Sequence, residues 1–374
     1  MQNKSVNHKE LKRYLFFGLI VFCFFGCTES QLKNDDDGKT VSDQDEVCKN
    51  EVCDTIRIPD IEGYLTLKCD FHIHTVFSDG LVWPDIRVDE AWQQGYDAIA
   101  ITDHIEFRPF IDEVKGDHNE SYKIAKRRAD QLGLIVIKGS EITRNKPFGH
   151  FNALFLTDSN LLEVRDSLEA IDIARRQGAV IQWNHPGRPD TKSIIYAVHE
   201  KMMAENKIDM VEVFNRSEYY PLTFDWIDQY DLAPVANSDI HDSIRIQYGV
   251  EKMSRPITLV FARDRTEFAI KEAIIARRTA ALFNNTIVAK NEWAEKLFWA
   301  CVQRRNTPIN QNTARIELKN ISDIPFVMHY SANVSVLLPA SGTVTVTCTL
   351  PGTLTIDNIF TGYKKNLEIR IPTE

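Results

Sequence analysis

The sequence predicts an α/β barrel carrying a small antiparallel β domain at its C-terminal end, and three observations carry that reading. From Leu65 to about Phe283, short β-branched or apolar runs alternate with longer amphipathic stretches, the pattern of a parallel α/β protein. Histidines and acids fall at or just past the C-terminal end of one candidate strand after another, which is the active-site rim of a closed α/β barrel. An open doubly wound sheet would instead gather them at a single switch point. After about Asn312 the pattern changes to alternating runs rich in Val, Thr and Ile, broken by Pro339, Pro351 and Gly352, as in antiparallel strands.

The expected strands of the α/β region are Leu65–His74, Ala98–His104, Leu134–Glu141, Phe151–Leu156, Val180–His185, Met210–Asn215, Val235–Asp239 and Thr258–Phe261. Helices are expected at Pro84–Gln94, Ser121–Leu132, Val164–Gln177 and Ile194–Asn206. Gly95, Gly133 and Gly178 stand where C-caps belong. In the last segment, strands are expected at Ser335–Leu338, Thr343–Thr349 and Leu367–Ile371. That region holds no cluster of His or acid, so it is assigned packing or accessory binding rather than chemistry.

The N-terminal segment reads as an export signal. Lys9, Lys12 and Arg13 precede an apolar run from Tyr14 to Gly26 that is too short to span a bilayer comfortably. It ends in Phe24-Phe25-Gly26-Cys27, which resembles the lipobox of bacterial lipoproteins, with Phe24 departing from the usual aliphatic residue; the resemblance implies lipidation at Cys27. The resulting organisation is a signal over 1–27, a polar tether over 28–58 that includes Asp35-Asp36-Asp37, a barrel over 59–300 and a β domain over 312–374. The expected address is the bacterial cell envelope, at the outer membrane, facing the periplasm or the surface, with the lipid as the sole membrane contact. Of seven cysteines, Cys48 and Cys53 form the best-spaced local pair in an exported protein. A net charge of −9 gives no footprint for a polyanionic polymer, which argues against nucleic acid as the substrate.

Asp70-Phe71-His72-Ile73-His74 puts three polar side chains on one strand face, since residues i and i+2 point the same way about 6.6 Å apart along the chain. Two imidazoles so placed can converge on one metal, with Asp70 suited to fixing the tautomer of a ligating ring. Cys69, on the opposite face, belongs to the core. The theme recurs in Thr102-Asp103-His104, Gly139-Ser140-Glu141, Gly149-His150-Phe151-Asn152, Asn184-His185-Pro186-Gly187 and Asn237-Ser238-Asp239-Ile240-His241. His72, His74, His104, His150, His185 and His241 thus occupy one kind of place, whereas His8, His118, His199 and His329 do not.

Asp70-x-His72-x-His74-Thr75-x-x-Ser78-Asp79-Gly80, then Thr102-Asp103-His104 and Ser238-Asp239-x-His241, resembles the PHP (polymerase and histidinol phosphatase) family over about residues 65–285. Three separated motifs in order are far more specific than one short pattern. The resemblance implies a distorted (β/α)7 barrel with a trinuclear site. It implies one metal on His72, His74, Glu141 and Asp239, a second on Glu141, His150 and His185, and a third on Asp79, His104 and His241. It further implies kinship with exported phosphodiesterases that act on small organophosphate diesters. Two or three divalent ions, zinc, manganese or iron, suit this mixture of imidazole and carboxylate. Metals bridged by Glu141 would bring a bound water to hydroxide and neutralise phosphoryl charge, so no side-chain nucleophile is required. Asp239, or a histidine near it, is a candidate to pass a proton to the leaving oxygen. Arg144, Arg188 and Arg216 are candidates to bind the phosphate oxygens through their planar forks, with Arg216 best placed; Trp83, Tyr219 and Tyr220 are candidates to line the pocket. The competing readings are a phosphomonoesterase and an amidohydrolase-type C–N or ester hydrolase. Against the latter, no lysine stands at a strand end to serve as a carbamylated bridge. A non-catalytic surface protein would have lost ligands, and DNA proofreading fits neither the charge nor the address.

Overall fold

The computed structural model describes residues 55–188, 193–249, 255–330 and 334–371. The export signal, Cys27, most of the tether and the Cys48–Cys53 pair lie outside these residues. The first half of the chain builds β1 (Leu65–Ile73), α1 (Pro84–Gln93), β2 (Ala98–Ile101), α2 (Glu120–Leu132), β3 (Ile135–Thr143), β4 (His150–Leu154), α3 (Ser167–Arg176), β5 (Val180–Trp183) and α4 (Ala197–Ala204). It continues through β6 (Met210–Asn215), β7 (Glu218–Tyr219), α5 (Thr223–Gln229), β8 (Ala233–Asn237), the single turn α6 (Ile244–Gln247), β9 (Ile257–Ala262), α7 (Glu267–Ile275), β10 (Thr279–Phe283), β11 (Thr286–Ala289) and α8 (Asn291–Cys301).

Seven strands form the ring. β1 pairs with β2, β2 with β3, β5 with β6 and β6 with β8, all parallel, while β4 runs antiparallel between β3 and β5. A parallel bridge between Ile73 and Ile240 closes the ring, reinforced by the His74 N–H donating to the Ile240 carbonyl at 3.1 Å. The sequence reading of uniformly parallel strands is therefore corrected at two places. Only a short connection separates β3 from β4, and such a link makes a hairpin, because a parallel crossover needs a dozen or more residues. β9, expected in the barrel, instead flanks it, antiparallel to both β1 and β10.

The helices obey local rules. Pro84 opens α1, where its missing N–H costs nothing. The Asp166 side chain caps the Glu169 N–H at 2.8 Å, so α3 starts after it rather than at Val164. Gly133 ends α2 in the left-handed conformation at φ 69°. These helices bury small apolar faces, such as Ala170, Ile171 and Ala174 of α3.

The C-terminal region consists of β12 (Val302–Asn310), β13 (Thr313–Asn320), β14 (Phe326–His329), β15 (Ser335–Leu338), β16 (Thr343–Thr349), β17 (Gly352–Gly362) and β18 (Lys365–Ile371). Its strands begin at Val302, directly after α8, and pack onto the α/β region. β17 pairs parallel with β11, and one apolar core runs from Ile61 through Leu297, Phe298 and Phe326 to Ile371. Cys69, Cys301 and Cys348 are buried free thiols.

Candidate metal centre

His72, on the inner face of β1, and His74, one residue past its end, are both fully buried. Their Nε2 atoms are 3.1 Å apart, and Glu141 Oε2 lies 3.1 Å from each. Asp239 Oδ1 sits 3.4 Å from His72 Nε2 and 3.2 Å from His74 Nε2. A tetrahedral ion bound at about 2.0–2.1 Å has donor–donor edges of about 3.3 Å, so this cage has the dimensions of a zinc-like site. The other Glu141 oxygen is 2.9 Å from His150 Nδ1 and 3.7 Å from His185 Nε2. Asp79 Oδ1 lies 3.4 Å from His104 Nε2, 3.2 Å from His241 Nε2 and 3.7 Å from His74 Nδ1, yet it is buried with no partner in hydrogen-bonding geometry. A buried carboxylate oxygen that faces three imidazoles without a hydrogen bond fits a cation ligand. The structure thus gathers all nine side chains named from the sequence into overlapping groups capable of holding metal ions.

Local chemistry explains each placement. The reversal of β4 puts His150, at its N-terminal end, on the rim occupied by the C-terminal ends of its neighbours, and Thr143↔His150 registers it beside Glu141. In the turn after β1, the Asp103 carboxylate accepts from the Thr75 N–H at 2.7 Å, the Thr75 hydroxyl at 2.8 Å and the Ser78 hydroxyl at 2.7 Å. Gly80 closes that turn so tightly that a Cβ would stand 2.7 Å from the His74 carbonyl. Asp79 is held between them. His185, Arg216 and Asp239, at the ends of β5, β6 and β8, have φ of 24°, 53° and 45°, a strained left-handed conformation.

Charge is concentrated too. Burial would raise the Glu141 carboxyl, but His104, His72, His150 and His185 hold it well below the usual carboxylate range. Burial likewise opposes ionisation of Asp79 and Asp239, and is overcome by His104, His241 and His74 for the first and by His72, His74 and Arg216 for the second. Burial lowers the His72 imidazole, but Asp239, Glu212 and Glu141 together push it well up. The acids are therefore anions at neutral pH, as ligands must be.

The three arginines separate. Arg216 reaches the cluster: its guanidinium is 2.6 Å from His241 Nδ1, donates to the Asp239 carbonyl at 3.0 Å and lies 3.5 Å from Asp239 Oδ2. Arg188, beyond His185, pairs with Glu218 in a cleft next to the rim. Arg144 is a correction: it pairs with Glu106 and donates to the Thr143 and Val164 carbonyls, so its fork is occupied in bracing a loop. Trp83 packs edge-on against Phe77, and Tyr219 stacks on Phe214 with centroids 5.0 Å apart. Tyr220 is buried and donates to Glu218.

Asp70 does not touch a ligand ring. Its carboxylate pairs with buried Arg255 at 2.6 Å, and the carboxylate against an imidazole Nδ1 is instead Glu212, 2.9 Å from His72. Sequence reasoning also passed over Arg87, which is buried under the rim and donates to the carbonyls of His74, His241 and Asp242 at 3.0, 2.6 and 2.7 Å. For Glu212 the available signal was a charged residue inside an otherwise apolar strand, whereas Arg87 stands among Asp85, Asp89 and Glu90 and carries no such signal.

A rim of six imidazoles and three carboxylates on a distorted α/β barrel defines a metal-dependent hydrolase. The model of the PHP domain matches residues 70–240. A solved structure from Bacteroides vulgatus, described as a two-domain protein containing a predicted PHP-like metal-dependent phosphoesterase, is 38% identical, with 85% of this chain and 98% of that one covered and a TM-score of 0.79. The chain belongs to this PHP family of metal-dependent phosphoesterases. It is also 39% identical over 83 residues to an uncharacterized protein of Methanocaldococcus jannaschii, a match covering 22% of this chain and 36% of that relative, so the chain spans about a third of that relative's length.

Proposed function

We propose that the chain hydrolyses small-molecule phosphodiesters at a trinuclear site of zinc, manganese or iron, acting as a lipoprotein of the bacterial envelope. The observation that carries this reading is Glu141, whose two carboxylate oxygens face different sets of imidazoles, as a ligand shared between ions must. The proposed sets are His72, His74, Glu141 and Asp239; Glu141, His150 and His185; and Asp79, His104 and His241. Divalent ions held there would acidify water and neutralise phosphoryl oxygens. Arg216, about one third exposed beside Asp239, is placed to take a non-bridging oxygen. Asp239, an anion, is the group proposed to take a proton from the attacking water and pass it to the leaving oxygen.

A cleft of about 460 Å³ opens beside the rim between the segments following His185 and Arg216, and its walls include Arg188, Glu218, Tyr219, Tyr220 and Leu222. It suits the organic group of an ester, with the Tyr219 ring as an apolar face and the Arg188–Glu218 pair as a polar wall. The apolar run ending at Cys27 supports the envelope address, which incorporation of labelled fatty acid, lost in Cys27→Ser, would test.

The deciding experiment combines elemental analysis of purified protein with turnover of mono-, di- and triester substrates by wild type and Glu141→Gln. The expected result is bound divalent metal, preference for diesters, and loss of turnover by at least about 1000-fold in the variant. A metal-free active protein, or an unimpaired variant, refutes it.

A further inference from the structure

Glu212 lies at the centre of β6, fully buried, on a strand that is otherwise Met, Val, Val, Phe and Asn. A lone acid in such a place costs several kcal/mol unless donors surround it. They do, and they divide between its two oxygens. Oε1 faces His72 Nδ1 at 2.9 Å, Asn237 Nδ2 at 3.0 Å and Gln182 Nε2 at 3.2 Å. Oε2 accepts from the His185 N–H at 2.6 Å and from Asn215 Nδ2 at 2.8 Å. Two of these five donors belong to proposed metal ligands, and each uses a different oxygen.

The consequences follow from what a carboxylate can do. Amide donors already face both oxygens of Glu212, so it accepts from His72 Nδ1, and a ring that binds metal would hold its proton there and offer the lone pair of Nε2. Nε2 is the atom that faces His74, Glu141 and Asp239 across 3.1–3.4 Å. The second oxygen restrains the His185 backbone, whose φ of 24° would otherwise relax and swing the ring off Glu141. We infer that Glu212 is a positioning residue that fixes the tautomer of His72 with one oxygen and the backbone of His185 with the other, coupling two proposed metal subsites through one buried carboxylate. This rests on the metal-binding reading above, and not on which ester is cleaved.

Glu212→Gln is a discriminating variant because it is isosteric yet keeps a single acceptor oxygen. With that oxygen on His72, the amide NH2 faces the His185 N–H; with it on His185, the NH2 faces His72 Nδ1 and drives the ring proton to Nε2. One proposed ligand is lost in either orientation. The test equilibrates the full chain with graded Zn2+ against a competing chelator and reads the bound metal by elemental analysis. Glu212→Gln should weaken at least one zinc by about 10–100-fold. Gln182→Met, which removes another donor from the same Oε1 but touches no proposed ligand, should stay within about threefold of wild type. Wild-type protein that binds no zinc would sink the metal reading itself. Wild type that binds zinc, with Glu212→Gln matching it or matching Gln182→Met, would overturn the role of Glu212 alone. Should Glu212→Gln fail to fold, long-range 1H–15N spectra of the zinc-loaded wild type decide: a His72 ring proton on Nδ1 supports the inference, and one on Nε2 overturns it.

Discussion

Arg255 offers the sharpest test of how the barrel holds β1 and β8 in place beneath the site. Its guanidinium reaches Asp70 Oδ2 through Nε at 2.9 Å and Nη2 at 2.6 Å, donates to Gln94 at 3.0 Å and stacks over Tyr96 at 4.5 Å from the ring centroid. Asp70 Oδ1 accepts the N–H groups of His72 and Ser238 at 3.2 Å each, so the pair ties the ends of both strands. Both side chains are almost entirely buried. In Arg255→Met, the Asp70 carboxyl is left in the core with only those backbone donors, and breaking such a pair costs about 3–5 kcal/mol. For a folded unit of about 320 residues the unfolding entropy near the midpoint is about 0.7 kcal/mol/K, so a loss of 4 kcal/mol lowers the melting temperature by about 6 °C. Adding Asp70→Asn removes the stranded carboxyl but keeps an oxygen for the two N–H groups, and should restore more than half of that loss. Scanning calorimetry of the metal-replete proteins reads both effects. A single variant within 2 °C of wild type, or a double variant less stable than the single, would refute the reasoning.

Three further outcomes are expected. In metal-free protein the depressed carboxyls of Glu141, Asp79 and Asp239 contribute stability above their unfolded value of about 4, lost as pH falls through the folded pKa, while the raised His72 contributes stability below about 6.5, lost as pH rises through its folded pKa. Chelator-treated protein should therefore melt highest in mildly acidic buffer, and a melting temperature that climbs steadily through pH 8 would contradict this. Tyr219→Ala, which removes the exposed ring from the cleft wall, should raise KM for an aryl diester by about tenfold and leave kcat for a dimethyl ester near wild type; equal effects on both esters would count against the cleft as the organic subsite. With the metal removed, His185→Gly should be more stable than His185→Ala by about 1 kcal/mol in urea titration, because glycine alone accepts a positive φ without strain. The reverse order would show that this backbone is not strained.

What could be read from the sequence followed from where strong local signals lie. Alternation along β1 placed His72 and His74 on one face, and each later cluster announced itself as polar residues after an apolar run. Direction and partnership are different matters. Nothing in His150-Phe151-Asn152 states that its strand runs backwards; only the shortness of the link from Thr143 does, and that has to be weighed against a strong expectation of βα repeats. Arg144 and Arg216 look equivalent as arginines just past ligand-bearing strands, and what separates them is that Glu106 lies across from one while Asp239 and His241 lie across from the other. Asp70 was read by its nearest neighbours, whereas its partner is 185 residues away in sequence. Glu212 was legible in principle, since charged residues are almost never fully buried without a task.

The strain at the rim and the charge at its centre belong to one physical problem. Nine side chains from separate strand ends converge at the rim, and two features of the backbone bring them together. Reversing β4 inserts His150 from the opposite chain direction, beside Glu141. Turning the backbone left-handed at His185, Arg216 and Asp239 bends the ends of β5, β6 and β8 inward, at a cost of about 1–3 kcal/mol for each residue. Such conformations persist only where buried bonds over-determine them, and those bonds are present: the His185 N–H on Glu212, the Arg216 N–H on the Asn237 carbonyl at 3.1 Å, and Arg87 across the carbonyls of His241 and Asp242. Three depressed carboxyls packed against six imidazoles do not account for such an investment on their own, since an apolar barrel mouth would be more stable. Divalent cations reverse that balance, because each ion bound only by the folded chain adds its binding free energy to folding.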